Sequence, residues 1–367
     1  MPVTQKEIAQ KLNVSRSLVA RALKGYPDVS PETREKIQQA AAELGYDPNT
    51  NQAARSLAAR RYGLRAKTGI IAVMFPAMMD SSPRNMPFFM PFFDGMEREA
   101  HDLGMDVCLC WVRPGQLPRM IRERSVDGVV ALADYPQELL AIKKLQLPLV
   151  AYQDHFEGAH CVIPDDRKGT YLATRHLLEQ DHRNIGFLGC AVDEHGIKTD
   201  DNLRLLGYLD ALREFGVTPR PGQIETGLAF PQSTELSYCQ GCNKCAACAG
   251  WQSLKNKNRK NPLTAVVCQN DTIAMGLIDH ARQDGVEVPR QLSVVGFDDI
   301  SQRYHFHPAI TSVKFSRYDM GRCAVRLIHE HDDAATCRQH VFPVTLVEHQ
   351  TTIPLTKARK EVMALAP

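Results

Sequence analysis

No apolar run in the chain approaches the roughly 20 residues that a membrane-spanning helix needs, and its start, MPVTQKEIAQ, lacks the apolar core of a secretion signal. A cytoplasmic location with no membrane partner is the expectation. HExxH, a glycine-rich P-loop and a recognisable Ser/His/Asp set are missing too, so the common signatures of hydrolytic and nucleotide-driven enzymes do not appear. The tail after Leu355, TKARKEVMALAP, has no sustained leucine heptads, which argues against a tetramer-forming coiled coil. The 13 histidines are dispersed, and even His305 and His307 in YHFHP read as loop or lobe-interface residues. Eleven cysteines in 367 residues do not make a disulfide scaffold, and the seven scattered ones read as small buried hydrophobes.

What is present is enough apolar sequence, 44% against 23% charged, to bury more than one core. The formal charge of +2 is unevenly distributed: residues 1–67 carry a net +6 and the remainder −4. A small basic module on a slightly acidic body suits a polyanion bound at one end. Within the module, Gln5 to Leu12 reads as a short helix capped by Thr4 with Glu7 completing a capping box. Asn13 and Val14 break the pattern, and Ser15 caps a second helix to Leu23. That helix turns Leu18, Val19, Ala22 and Leu23 inward and Arg16, Ser17 and Arg21 outward. A third helix starts at Ser30-Pro31-Glu32 and stops at Gly45. The next stretch, Asn51 to Arg61, has helical spacing but a thin apolar face, so it orders only on a partner. Arg55, Arg60 and Arg61 would then lie near phosphates, with Leu57 as a wedge in a minor-groove base step.

The segments TQKEIAQKLNVSRSLVARALKG, VSPETREKIQQAAAELGYDPN and ARSL resemble the LacI/GalR family of bacterial repressors in order and spacing. The resemblance implies that Arg16 and Ser17 occupy variable base-reading positions, that Arg21 stands where guanine is commonly contacted, and that Leu57 is the intercalating hinge leucine. Thr4, Ser15, Lys24, Asn49 and Arg55 complete the set expected at the DNA. Leu18 and Ala20 depart from the family, which often has phosphate-touching hydroxyls there, so those contacts are either lost or replaced by Lys24.

Beyond residue 67, strand-like runs such as Gly69–Phe75 and Val107–Trp111 alternate with helical ones such as Pro91–Leu103, a βαβ rhythm. Further apolar runs span Gly128–Ala133, Pro148–Tyr152, Asn184–Gly189, Ala265–Cys268 and Leu292–Phe297. Ligands of open α/β sheets bind beyond the carboxyl ends of the strands, so the polar residues after these runs are the expected cleft lining. The resemblance continues through PFF, RSVDGVV, RLLGY, ND, PRQLSVVGFDD and ITSVKFSRYDMG and implies an effector domain like the periplasmic binding proteins. On matching positions Phe88 and Phe89 pack against the ligand, Arg204 gives paired hydrogen bonds, and Asn270 and Asp298 fix hydroxyls or ring nitrogens. Gln153, Asp154 and Lys198 are further expected contacts. Plain alternatives are that Phe88 and Phe89 are core and that Asp298 and Asp299 cap the next helix. An aromatic face with bidentate donors and acceptors suits a polyhydroxylated ring, by expectation a sugar or sugar derivative.

The expected fold is thus a small all-α helix-turn-helix DNA-binding domain (1–49), a hinge helix and linker (50–67), and an α/β domain of two doubly wound lobes (68–355), followed by a tail (356–367). Lobe one is expected at about 68–183 and 312–339, lobe two at about 184–311 and 340–355. The expected partners are near-palindromic operator duplex DNA, a small-molecule effector and a second copy in a homodimer.

Cys239, Cys242, Cys245 and Cys248 in YCQGCNKCAACAG lie outside the family pattern. Crowded thiolates repel unless a cation neutralises them, and sulfur favours zinc or an iron–sulfur cluster, though the spacing fits neither usual template. Reversible disulfide chemistry and a metal-free loop stand beside that reading. The cluster is expected between a strand Ile224–Ala229 and a helix opening near Gly250-Trp251. Two rival functions remain: a zinc or iron–sulfur enzyme, and a sugar-binding protein without a regulatory role.

Overall fold

A computed structural model describes residues 3–23, 26, 28–46, 67–76, 86–132, 136–153, 155–189, 202–226, 246–300, 305–331 and 337–356. The chain divides into two units, residues 1–68 and 69–367.

In the first unit three helices, α1 Gln5–Leu12, α2 Arg16–Leu23 and α3 Pro31–Glu43, enclose a core of Ile8, Ala9, Val19, Ala22, Val29, Ile37, Ala40 and Ala41. The helix ends follow the local chemistry. Thr4 donates through its backbone N–H (2.6 Å) and hydroxyl (2.9 Å) to Glu7, Asn13 turns left-handed after α1, and the Ser15 hydroxyl accepts from Leu18 N–H at 3.2 Å. Ser30 accepts from Thr33 N–H at the start of α3.

The second unit contains two six-stranded sheets. The first has the order β11-β5-β4-β3-β1-β2, from β1 Ile70–Pro76, β2 Asp106–Val112, β3 Gly128–Ala131, β4 Leu149–Tyr152, β5 His160–Pro164 and β11 Gln339–Phe342. The second has the order β12-β10-β9-β8-β6-β7, from β6 Ile185–Leu188, β7 Ile224–Glu225, β8 Ala265–Cys268, β9 Ser293–Phe297, β10 Thr311–Phe315 and β12 Val344–Val347. Among the described strands every pairing is parallel except β10 with β12. Strands such as β3 (GVVA) and β8 (AVVC) are buried throughout because helices cover both faces of parallel sheets. Those helices include α4 Met86–Asp102, α5 Arg119–Arg122 and α6 Pro136–Lys144 on the first sheet, and α7 Asp166–Glu179, α8 Leu203–Glu214, α9 Ala246–Lys257 and α10 Asp271–Gln283 on the second. A further helix, α11 Arg317–His329, returns to pack on α4.

Within each sheet the central order reads 2-1-3-4-5, which puts a topological switch point beside β1 in one and β6 in the other. The chain crosses between lobes at Asp165, Ser316 and Pro343, and Asp165 N–H donates to Phe342 O at 3.0 Å, tying the first crossing to the third. This corrects the expected lobe limits. Helix α7 packs on α8 and the second sheet, so lobe one yields at 165 rather than 183. Strand β10 is hydrogen-bonded to β9 and β12, so lobe two runs to 315, and β11 keeps lobe one until 342. Apolar periodicity marks strands but carries no information about which sheet receives them.

Candidate functional site

On α2 the two faces separate as expected: Val19 and Ala22 are buried while Arg16, Ser17 and Arg21 are exposed. Arg21 forms an ion pair with Asp28 beyond the helix end, and Arg34 braces the intervening segment by donating to Tyr26 O at 2.8 Å and Val29 O at 3.4 Å. A helix with an exposed cationic and hydroxyl face on a small rigid core can enter a major groove. Lys24, Asn49, Arg55 and Leu57 lie outside the described residues, as does the whole expected hinge helix.

In the second unit the carboxyl ends of the strands are where a cleft is expected, and on the first lobe that region is aromatic. Phe89 meets Phe75 edge-on at 5.0 Å, Phe88 meets Phe89 at 4.8 Å, and Tyr152 packs 4.1 Å from Phe92. Phe89 is core, whereas Phe88 is only half-buried and faces Arg317. The opposite wall carries Arg204 and Asp298. Arg204 Nε donates to Asp166 Oδ1 at 2.7 Å and Nη1 to the Gln269 carbonyl at 2.5 Å, and its guanidinium lies 3.8 Å over the Phe297 ring. Part of its expected donor pair is therefore already engaged within the protein. Burial opposes its charge, but Asp166 and Asp298 outweigh that and hold its pKa above the usual arginine value.

Asn270, at the end of β8, uses its side-chain oxygen to cap α10, accepting from Ile273 N–H at 2.8 Å, which leaves its amide NH₂ as the end that can meet a ligand. Asp298, left-handed at φ 110°, is 6% exposed, and burial pushes its carboxyl up to about 6 against the pull of Arg204 and Arg317. Next to it Asp271 is fully buried, accepting from Ile300 N–H at 2.7 Å and the Ser312 hydroxyl at 2.6 Å, and burial drives its carboxyl well above the usual range. Gln153 sits at φ 59° just past β4, donating its backbone N–H to Val162 O. Asp154 and Lys198 lie outside the described residues.

The residue that joins the two walls was missed by sequence reasoning. Arg317, 5% exposed, begins α11 directly after the second crossing. Its guanidinium lies 4.5 Å from the Phe88 ring and 4.5 Å from the Phe315 ring, and it donates to the Asp298 carbonyl with the Asp298 carboxylate at 3.8 Å. The rule that picked out Asp298, a polar residue just beyond a strand's carboxyl end, applies equally to Arg317 after β10 and to Tyr152 at the end of β4.

Cys248 is buried in the first turn of α9, which opens at Ala246, four residues before the expected start. Strand β7 is two residues long rather than six. Cys239, Cys242 and Cys245 lie outside the described residues, and among the described residues no group of three or more His, Cys, Asp or Glu is placed to hold a metal. Nor, among them, is any helix long and apolar enough to cross a membrane.

Residues 4–49 match the family model of bacterial regulatory proteins of the lacI family, and residues 174–352 match that of the periplasmic binding protein-like domain. The chain is 29% identical over 368 residues to the HTH-type transcriptional regulator RegA of Clostridium saccharobutylicum, covering 96% of this chain and 100% of the relative. Among solved structures it resembles the lac repressor dimer bound to operator and an anti-inducer, with a TM-score of 0.63 and 23% identity over 96% of this chain and 100% of that one. It likewise resembles a CelR regulator–cellobiose complex, with a TM-score of 0.61 and 23% identity over 95% and 99%. At that identity the structural likeness speaks to the fold.

Proposed function

Because the chain belongs to the lacI family of bacterial regulatory proteins and is a DNA-binding transcriptional regulator, we propose that it represses transcription from a near-palindromic operator under the control of a small polyhydroxylated effector held between its two lobes. The observation that supports this reading is the network of Phe88, Arg317, Asp298, Arg204 and Phe297 just beyond the carboxyl ends of strands of both sheets, where ligands of such sheets bind, with Asn270 following β8. Sugar binding is drawn from that lining and from relatives such as the regulator solved with cellobiose.

The protein acts as a homodimer in the cytoplasm, each α2 helix entering a major groove about one DNA turn from its twin. Effector binding shifts the relative angle of the lobes, and the segment 50–67 orders or melts on the operator in response. Cys239, Cys242, Cys245 and Cys248 add a zinc or iron–sulfur site that tunes this response. The binding steps need no bond-making chemistry, which favours a regulator over an enzyme.

Selection of random duplex DNA by anaerobically purified protein, with metal content read on the same sample, tests the proposal. Recovery of a palindrome supports it and supplies the operator for effector screening. Failure to select any sequence would move the assignment toward a metal-dependent enzyme.

A further inference from the structure

The hydrogen-bonding groups of the cleft are left in an unequal state. Several of its acceptors are taken, Asp166 Oδ1 and the Gln269 carbonyl by Arg204, the Asp298 carbonyl by Arg317, and the Asn270 side-chain oxygen by Ile273 N–H, while the Asp298 carboxylate stands 3.8 Å from Arg317. Buried polar atoms without a hydrogen-bond partner remain at Arg317 Nε, Gln153 Nε2 and the Tyr152 hydroxyl. Two of these are N–H donors with no accepting capacity, and the third donates when its partner is an anion. Arg317 and Tyr152 are each more than nine-tenths buried, so water does not replace the missing partners cheaply.

We infer that the effector is a sugar acid, a polyhydroxylated molecule whose carboxylate is received by Arg317, Tyr152 and Gln153. The inference rests on the cleft being the effector site. A neutral hydroxyl brings a donor along with its lone pairs and would have to turn that donor to the Asp298 carboxylate, whereas the three open atoms ask for acceptors. A carboxylate brings only acceptors, about four lone-pair sites, in a plane that matches a guanidinium edge. The Arg317 plane is held between Phe88 and Phe315 at 4.5 Å each, which fixes its orientation before any ligand arrives. Among the described residues Asp298 and, beyond it, Asp166 are the anions on this side. Since the Asp298 carboxyl is already raised to about 6, a second carboxylate favours its protonated form and turns it into a further donor.

Calorimetric titration of the full-length protein with matched pairs tests this: galacturonate against galactose, glucuronate against glucose, gluconate against sorbitol, with glucose 6-phosphate as a separate probe. At least one carboxylate is expected to bind about tenfold or more tighter than its neutral partner. Tyr152→Phe and Arg317→Gln, checked for intact folding by circular dichroism, should each reduce that preference by weakening the acid alone. A neutral sugar that equals or exceeds its acid, a phosphate bound where no carboxylate is, or discrimination that survives Arg317→Gln would overturn the inference. If neutral sugars bind and release operator, the effector reading of the cleft stands and only the sugar acid falls. If no member of either class binds, both fall.

Discussion

Arg204 holds its guanidinium 3.8 Å from the centre of the Phe297 ring, a helix and a strand of one lobe joined by a charge lying flat on an aromatic face. The stack and the two hydrogen bonds to Asp166 and Gln269 fix the group in one orientation. Arg204→Lys keeps the charge but loses both the plane and the fork. Effector affinity is expected to fall about tenfold or more, read by calorimetry with the effector found in screening. An unchanged affinity would show that the cleft does not use this side chain.

Glu99 is 5% exposed and is clamped by two arginines of α11, Arg322 at 2.7 Å and Arg326 at 2.5 Å. The Arg326 hydrogen bond, opposed by burial, leaves its carboxyl below the usual range. Glu99→Ala removes the anion that holds α4 to α11, but the arginines are partly solvated, so the cost is expected near the lower end for a broken buried pair, about 2–3 kcal/mol. Urea denaturation at neutral pH measures it.

At the DNA unit, Ser15→Ala and Arg21→Ala separate stability from reading. The serine caps α2, so its loss is expected to cost about 1 kcal/mol of unfolding free energy. Arg21 is exposed and paired only at the surface with Asp28. Its removal should leave melting nearly unchanged while relaxing operator preference at one base position by about 1–3 kcal/mol. Binding assays on single-base operator variants distinguish this from a uniform loss of affinity.

Stability should fall on mild acidification. Burial holds His160, His176, His182 and His340 below the ordinary imidazole value of 6.5, so the unfolded chain binds protons that the fold refuses. Their contribution is complete above 6.5 and is lost as the pH drops through and below it. Asp298, raised to about 6 from 3.8, works the other way, easing folding only as pH falls from 6 toward 3.8. Melting temperature is therefore expected to be lower at pH 6 than at pH 7.5, and a rise would mean that the buried carboxyls dominate.

Much of this molecule is legible in its residues. Thr4, Ser15 and Ser30 mark helix starts because a hydroxyl before an apolar period has one structural use. The run Ala265–Cys268 reads as a buried parallel strand, and it is one. What was not legible depends on long-range closure. Strand β10 and helix α7 look alike in either lobe, and only their tertiary partners, β9 and β12 for the one and α8 for the other, assign them. The same limit hid Arg317. Its partners Phe88 and Phe315 belong to different lobes, and nothing local announces that a cation will lie between them.

The three crossings at Asp165, Ser316 and Pro343 carry a genetic consequence. Each lobe is assembled from separated stretches of the gene, so no single cut yields one lobe intact, and recombination cannot exchange one without the other. Residues 1–68 form an uninterrupted stretch. One crossover near codon 68 would therefore pass the whole first unit to a new second unit, and the chain is inherited as two cassettes rather than three.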